Sequence, residues 1–486
     1  MSSRMKARDS QQLTSDDPTE LSAHWISSRA PVLFMLFCAV AWLLFGSVLG
    51  FMASLKFHAP SLWADSTWLT YGRIQPLRQA AYLYGFALPA AWAVSLWMLV
   101  RLGQTRLRAP WFVVFGAVLW NIGAKLGALG ILAGEATGFE GLAFPRYAAL
   151  ILIVAYAMIG IPALLTFHGR TRRELYVSQW FLLAAWFWFP WVYITAIALL
   201  ILAPVRGVMQ PLVDWWYLAN THQIALGFVG LAILFYVIPR FLNRPLHSRY
   251  LAMTAFWLLA LFASWSGIPD SAPLPSWIPG VSTVFTVLLV VPLLAVGLNF
   301  HHTLEGHYAE ARRPGLLAAA VFSLAAYFVA GLLTIAHALP AVHQFTQFTF
   351  FAQGMAFLFL YGFLAMAVFV GLYLATGELI EGGLPSKRLV NAHLWCAAIG
   401  VLLIAVPLLL GGLLQGRALN DPNNAFMDTL WPGLMALRIS TLGDVLLVVG
   451  HAALMFNFVL AAARYFLRLK DRATPLLATP AVEVRR

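Results

Sequence analysis

Apolar residues in this chain come in long runs separated by short polar turns. Twelve runs are long enough to cross a bilayer as helix: near 31–53, 80–100, 110–133, 147–167, 178–203, 218–239, 250–268, 280–300, 315–338, 346–376, 390–414 and 441–467. A helix needs about 20 apolar residues to span the hydrocarbon core. Inside lipid each backbone amide must be bonded within its own segment, which selects helices. An outer-membrane barrel would show shorter, alternating strands instead. The pattern therefore predicts an all-α polytopic membrane protein with about 12 transmembrane helices. Residues 31–467 form its membrane domain, flanked by polar tails over 1–30 and 468–486, and the lipid bilayer is its first expected partner.

Composition supports this reading. The chain is 61% hydrophobic and 10% charged, with a mean hydropathy of +0.79, whereas soluble domains carry roughly 25% charged residues. Loops after even-numbered runs, from Arg101 to Arg388, hold 13 Lys and Arg, against 7 in the loops after odd-numbered runs, from Lys56 to Arg438. That bias predicts both termini in the cytoplasm. It also accounts for the formal charge of +12. No basic and aromatic residues interleave as in a nucleic-acid groove, so no nucleic-acid partner is expected. Cys38 and Cys396 both lie in apolar runs and form no disulfide framework. The first run is of full spanning length with no small-residue cleavage site after it, so it is expected to stay on the chain. Aromatic groups at 63–71 and at 215–217 fit an outer interfacial rim.

Some residues carry candidate chemistry. His301, His302, Glu305 and His307 end the eighth run with metal-ligand composition, against the plainer reading of a cytoplasmic loop. Lys125, Asp444 and His451 lie within apolar runs, where a charge costs several kcal/mol unless paired or wetted. They could line a proton path; a structural role is expected instead, with Lys125 pairing with an interior acid or snorkelling to the interface.

Several motifs occur in a telling order. They are Gly72 to Arg78, Val177 to Trp180 with Trp188 to Tyr193, and Asp214 to Tyr217 running on to Pro239. Next come Trp265 to Pro269, Leu274 to Trp277, Val390 to Trp395 with Gly411 to Gly416, and Arg438 to Asn457. In sequence and spacing the chain resembles subunit I of the cbb3-type cytochrome c oxidases, in the heme-copper oxidase superfamily. The resemblance implies that superfamily's subunit I bundle, in a bacterial-type inner membrane. It also implies O2 reduction with electrons from cytochrome c, coupled to proton translocation, and heme b and copper as cofactors. Cytochrome c-type or other respiratory membrane subunits would be the partners. Those metals need neutral imidazoles fixed on facing helices.

The imidazoles are missing from the positions where the resemblance places them. Arg78 stands for a heme histidine on helix 2, Ala219 for a copper histidine on helix 6, and Asp270 and Ser271 for the pair on helix 7. The redox tyrosine falls near Ala263, and Phe348 to Gly354 on helix 10 holds no histidine. Gln75 replaces a propionate-binding arginine, although Arg73 is kept. No copper and no normally ligated heme pair are expected, with Phe350 and Phe351 helping to fill the space and Arg78 pairing with an acid or a carbonyl. His222, His337 and His343 are candidate substitute heme ligands; otherwise they bond neighbouring helices or water. His393 belongs to the helix 11 motif and is not a ligand in the family. The expected function is a degenerate oxidase-like subunit with a structural or assembly role. The alternative is an active oxidoreductase with substitute ligands, and an unrelated 12-helix transporter fits the motif order poorly.

Overall fold

The computed structural model describes residues 18–478. Its principal helices are α1 (Pro18–Leu55), α2 (Tyr71–Gly103), α3 (Pro110–Ala133), α4 (Arg146–His168), α5 (Val177–Leu202), α6 (Met209–Phe241), α7 (Arg249–Ala263), α8 (Trp277–Leu304), α9 (Leu316–Ala338), α10 (Phe350–Leu379), α11 (Lys387–Leu419) and α12 (Trp431–Ala478). No strand occurs among the described residues. Among the described residues, eleven of these helices are long and apolar enough to span a membrane, and α7 is the short one, with 15 residues. The expected tails fall partly at 1–17 and 479–486, outside the described residues; α1 already begins at Pro18 and α12 continues to Ala478.

α7 was expected to reach 268 but ends at Ala263. Pro269 and the positive φ of Gly267 (94°) turn the chain there. The turn is pressed on α6: a Cβ on Gly267 would lie 2.5 Å from the Ala219 Cβ. Glycine at 267 and alanine at 219 are thus two halves of one close approach.

Three helices form the centre. The most apolar window of α2 is 100% buried, that of α6 89% and that of α10 72%, against 39–50% for the other membrane-length helices. A helix apolar on all sides is buried by its neighbours, and the outer helices turn exposed Leu, Phe, Val and Trp outwards, as a lipid-solvated surface requires. At one end of the bundle Glu378 of α10 ties the three together. It accepts from Trp97 Nε1 (3.0 Å) and Arg101 Nη1 (2.9 Å) of α2, and from Arg240 Nη2 (2.7 Å) of α6. At the opposite, distal end α1 finishes and α2 begins.

The motif of α11 has a packing cause. Gly411, Gly412 and Gly416 lie where a Cβ would run into Ala436 of α12, the Phe351 backbone of α10 and the Phe345 carbonyl respectively. Gln415 on the same helix accepts from the Phe350 backbone N–H at 3.2 Å, satisfying one orphan donor at the start of α10. Buried Asn457 of α12 bonds both backbone groups of Ser386 at the start of α11, at 3.1 and 3.0 Å. His393 is fully buried and shares a 2.7 Å hydrogen bond with the Tyr373 hydroxyl, a role in the fold.

Candidate functional site

The central helices are not regular. Ala81–Ala87 of α2, Thr221–Leu226 of α6 and Leu358–Ala365 of α10 are π-helical. Such bulges are rare and frequent at functional sites. Here all three lie against one space: Tyr82, His222 and Tyr361, one from each, line the same cavity of about 160 Å³. Tyr82 and Tyr361 stack with centroids 4.0 Å apart, and the Tyr82 hydroxyl donates to the Leu360 carbonyl at 2.5 Å.

Arg78 lines this cavity one helical turn before Tyr82. Its Nη2 lies 3.4 Å from Asp444 Oδ1 of α12, and its guanidinium sits 6.0 Å from the Phe357 ring centroid. Gly50 of α1 makes room for the pair: a Cβ there would come within 2.9 Å of Arg78 Nε and 3.2 Å of the Asp444 carboxylate. The expected pairing of Arg78 with an acid is present, and Asp444 is its partner. Further along α12, buried His451 bonds Ser47 of α1 at 2.6 Å. Lys125 stands exposed on α3, with no ion pair seen among the described residues.

A second cavity of about 380 Å³ adjoins the first, and Glu140, Leu218, His222, Gln353 and Ala356 line both. The structure gathers His222, His337 and His343 around this second space, with Ala219 and Asp270 also in its wall. Ser271 is exposed and lines neither cavity. Phe350 and Phe351, expected to fill the space, also lie outside both linings. Phe350 packs on Gly433 of α12 and Phe351 stacks on His337, because the turn at Thr349 directs the first residues of α10 towards α11. The His301 and His302 rings lie 5.3 Å apart, but the loop histidines take separate partners. His301 bonds Tyr308 (2.7 Å), His302 faces His247 and Glu305 (3.3 Å), and His307 meets Arg244 (3.0 Å). Among the described residues no three His, Cys, Asp or Glu side chains converge as a metal cage.

Sequence reasoning missed Tyr82, Tyr361 and Glu140. Both tyrosines lie in apolar runs that read as ordinary helix, and Glu140 lies in a short loop. Tyr217, expected on the rim, is fully buried and bonds the Tyr84 hydroxyl at 3.1 Å. Glu140, at the distal end between α3 and α4, gives its backbone N–H to Asp214 Oδ2 (3.3 Å). Part of its surface is exposed, yet the cavity walls take enough water away to push its carboxyl above the usual range. A raised carboxyl stabilises the fold below its unfolded-state pKa and loses that contribution as pH rises through the folded value. We expect thermal stability in detergent to fall slightly as pH rises above the ordinary glutamate pKa of about 4.3, and Glu140→Gln to remove that part of the slope. An identical slope in the variant would refute the assignment.

Residues 30–446 match the profile of the family described as cytochrome c and quinol oxidase polypeptide I. A cytochrome c oxidase subunit 1 homolog, bacteroid, of Bradyrhizobium diazoefficiens is 26% identical over 468 residues, covering 90% of this chain and 83% of the relative. The cbb3-type cytochrome c oxidase subunit CcoN1 of Stutzerimonas stutzeri is 26% identical over 446 residues, covering 86% and 91%. The cryo-EM structure of a heme-copper terminal oxidase dimer has the same fold, with a TM-score of 0.71 at 14% identity, over 90% of this chain and 84% of that one.

Proposed function

Because the chain belongs to the cytochrome c and quinol oxidase polypeptide I family, we propose that it is a cbb3-like subunit I working without the family's redox centres. It serves as a structural or assembly subunit beside other respiratory membrane proteins, a cytochrome c-type subunit among them. It is a multi-pass membrane protein, and its proposed place is a bacterial-type inner membrane with both tails cytoplasmic. The observation that carries the reading is Arg78. At the place of a heme histidine stands a permanent cation engaged with Asp444, and a guanidinium cannot donate a lone pair to iron. Ala219, Asp270 and Ser271 supply no imidazole either. The residues therefore do not fit the family's heme pair and three-histidine copper. The close approach of Ala219 to Gly267 supports this, since a histidine at 219 would have to displace that turn.

The purified chain is expected to show no reduced b-heme bands. Membranes from a strain lacking its other terminal oxidases are expected to take up no O2 when this chain is restored alone. One observation favours the alternative of an active oxidoreductase: His222, His337 and His343 share one cavity wall. O2 uptake that appears with the chain and disappears in His222→Ala would overturn our reading in favour of that one.

A further inference from the structure

The second cavity holds two histidines prepared as ligands in a way that the missing heme and copper positions do not explain. His343 lies in the short helix Pro340–Thr346 that joins α9 to α10, and it is buried, with 6% of its surface exposed. Its Nδ1 faces the backbone carbonyl of His337 at 3.2 Å. A carbonyl only accepts, so Nδ1 carries the proton and Nε2 keeps its lone pair. That Nε2 is buried and has no hydrogen-bond partner. His337, at the end of α9, is set the same way. Its Nδ1 lies 2.8 Å from Thr346 Oγ1, and the Thr346 hydroxyl donates to the Val342 carbonyl at 3.0 Å. Thr346 therefore accepts from His337 Nδ1, leaving the His337 Nε2 lone pair free as well. An outer partner on Nδ1 with Nε2 left open is how metal-bound imidazoles are held.

The two rings also lie side by side. Their centroids are 4.8 Å apart with planes at 65°. With metal–nitrogen bonds of about 2 Å, two imidazoles sharing one ion at an open angle have centroids roughly 5 Å apart. Met355 lines the same cavity. Its sulfur accepts from Thr334 Oγ1 at 3.5 Å, and Thr334, three residues before His337, shares a face of α9 with it, so the thioether lies on the His337 side of that helix. Glu140 and Asp270 also line this cavity, but among the described residues neither groups with the two histidines as a third donor; two imidazoles and a thioether form a soft donor set that selects monovalent copper over zinc or magnesium. Three ligands suffice for that ion, and only two of these are of the His, Cys, Asp or Glu type, so the absence of three such side chains together among the described residues does not count against it.

We infer that His337, His343 and Met355 form a binding site for a single Cu(I) ion at the distal end of α9 and α10. The site uses none of the positions at which the family's metal histidines are missing, and it stands whether or not the chain turns over O2. The test uses the full chain in detergent, titrated with Cu(I) under reducing conditions against bicinchoninate as competing chelator, with X-ray absorption on the loaded protein. One Cu(I) per chain is expected, with two nitrogen ligands and one sulfur. His343→Gln and His337→Gln should each weaken binding at least tenfold, Met355→Leu should remove the sulfur signal, and His222→Gln should change neither. If one histidine variant does not fold, the other and Met355→Leu carry the test. Failure of the wild type to compete with the chelator, or unchanged affinity in the folded histidine variants, would overturn the site. A sulfur signal that persists in Met355→Leu would overturn its third ligand. The absence of heme bands, which tests the proposed function, is read separately in the same sample.

Discussion

Asp444→Ala is expected to lower the stability of the folded chain by about 3 kcal/mol, the low end of what breaking a buried ion pair costs. The low end applies because Arg78 keeps 19% of its side chain exposed to the cavity, although Asp444 keeps only 6%. The loss comes less from the attraction removed than from the cation left behind. Arg78 lies between α1, α10 and α12, with the Phe357 ring on one side and Gly50 on another. It cannot shed its proton, so without Asp444 it must draw in water or move. The reverse change, Arg78→Met, should cost less, because an unpaired carboxyl can neutralise itself by binding a proton. The double variant Arg78→Met/Asp444→Leu should recover most of the stability, as apolar replacements of buried pairs do. Thermal unfolding in detergent would measure all three. If Asp444→Ala and Arg78→Met prove equally harmful, the uncompensated cation is not the cause.

Gly416→Ala is expected to cost at least about 3 kcal/mol, at the upper end of overpacking, and to reduce the folded yield sharply. The added methyl group would run into the backbone carbonyl of Phe345. A flexible side chain could swing away, but this carbonyl belongs to the short helix Pro340–Thr346. Moving it means moving the connection that carries His343. Gly377→Ala is the control. It is also a helical glycine, on α10, but a Cβ there would meet nothing within 4 Å. Alanine at 377 should be neutral or stabilising by up to about 1 kcal/mol, through helix propensity. Equal melting temperatures for Gly416→Ala and the wild type would show that the α11 glycines are not required for close packing.

Much of this molecule could be read from the sequence alone. Chain-long apolar runs leave lipid as the only adequate solvent, and backbone hydrogen bonding in lipid leaves helix as the only form for such runs. The spans, the all-α class and the family followed from those runs and from the order of the motifs. The absence of imidazoles at 78, 219, 270 and 271 was equally plain, because residue identity needs no structure.

What the sequence could not supply was adjacency. Arg78 and Asp444 are 366 positions apart, and only the packing of α1 against both α2 and α12, with Gly50 beside the pair, shows that one is the counter-ion of the other. The runs of α2, α6 and α10 resemble their neighbours in hydropathy, so nothing in their periodicity marked them as the buried centre; that depended on which helices surround them. The three π-helical segments likewise left no recognisable signature, since they arise from how a helix settles against its neighbours. His337 and His343 are six residues apart in the chain and could be suspected as ligands. Which nitrogen of each is free, and that both line one cavity with Met355, was decided by the Thr346 hydroxyl and the His337 carbonyl. Hydrophobic patterning is a property of each segment by itself, whereas hydrogen-bond partners and cavities belong to pairs of segments and exist only once the helices have packed.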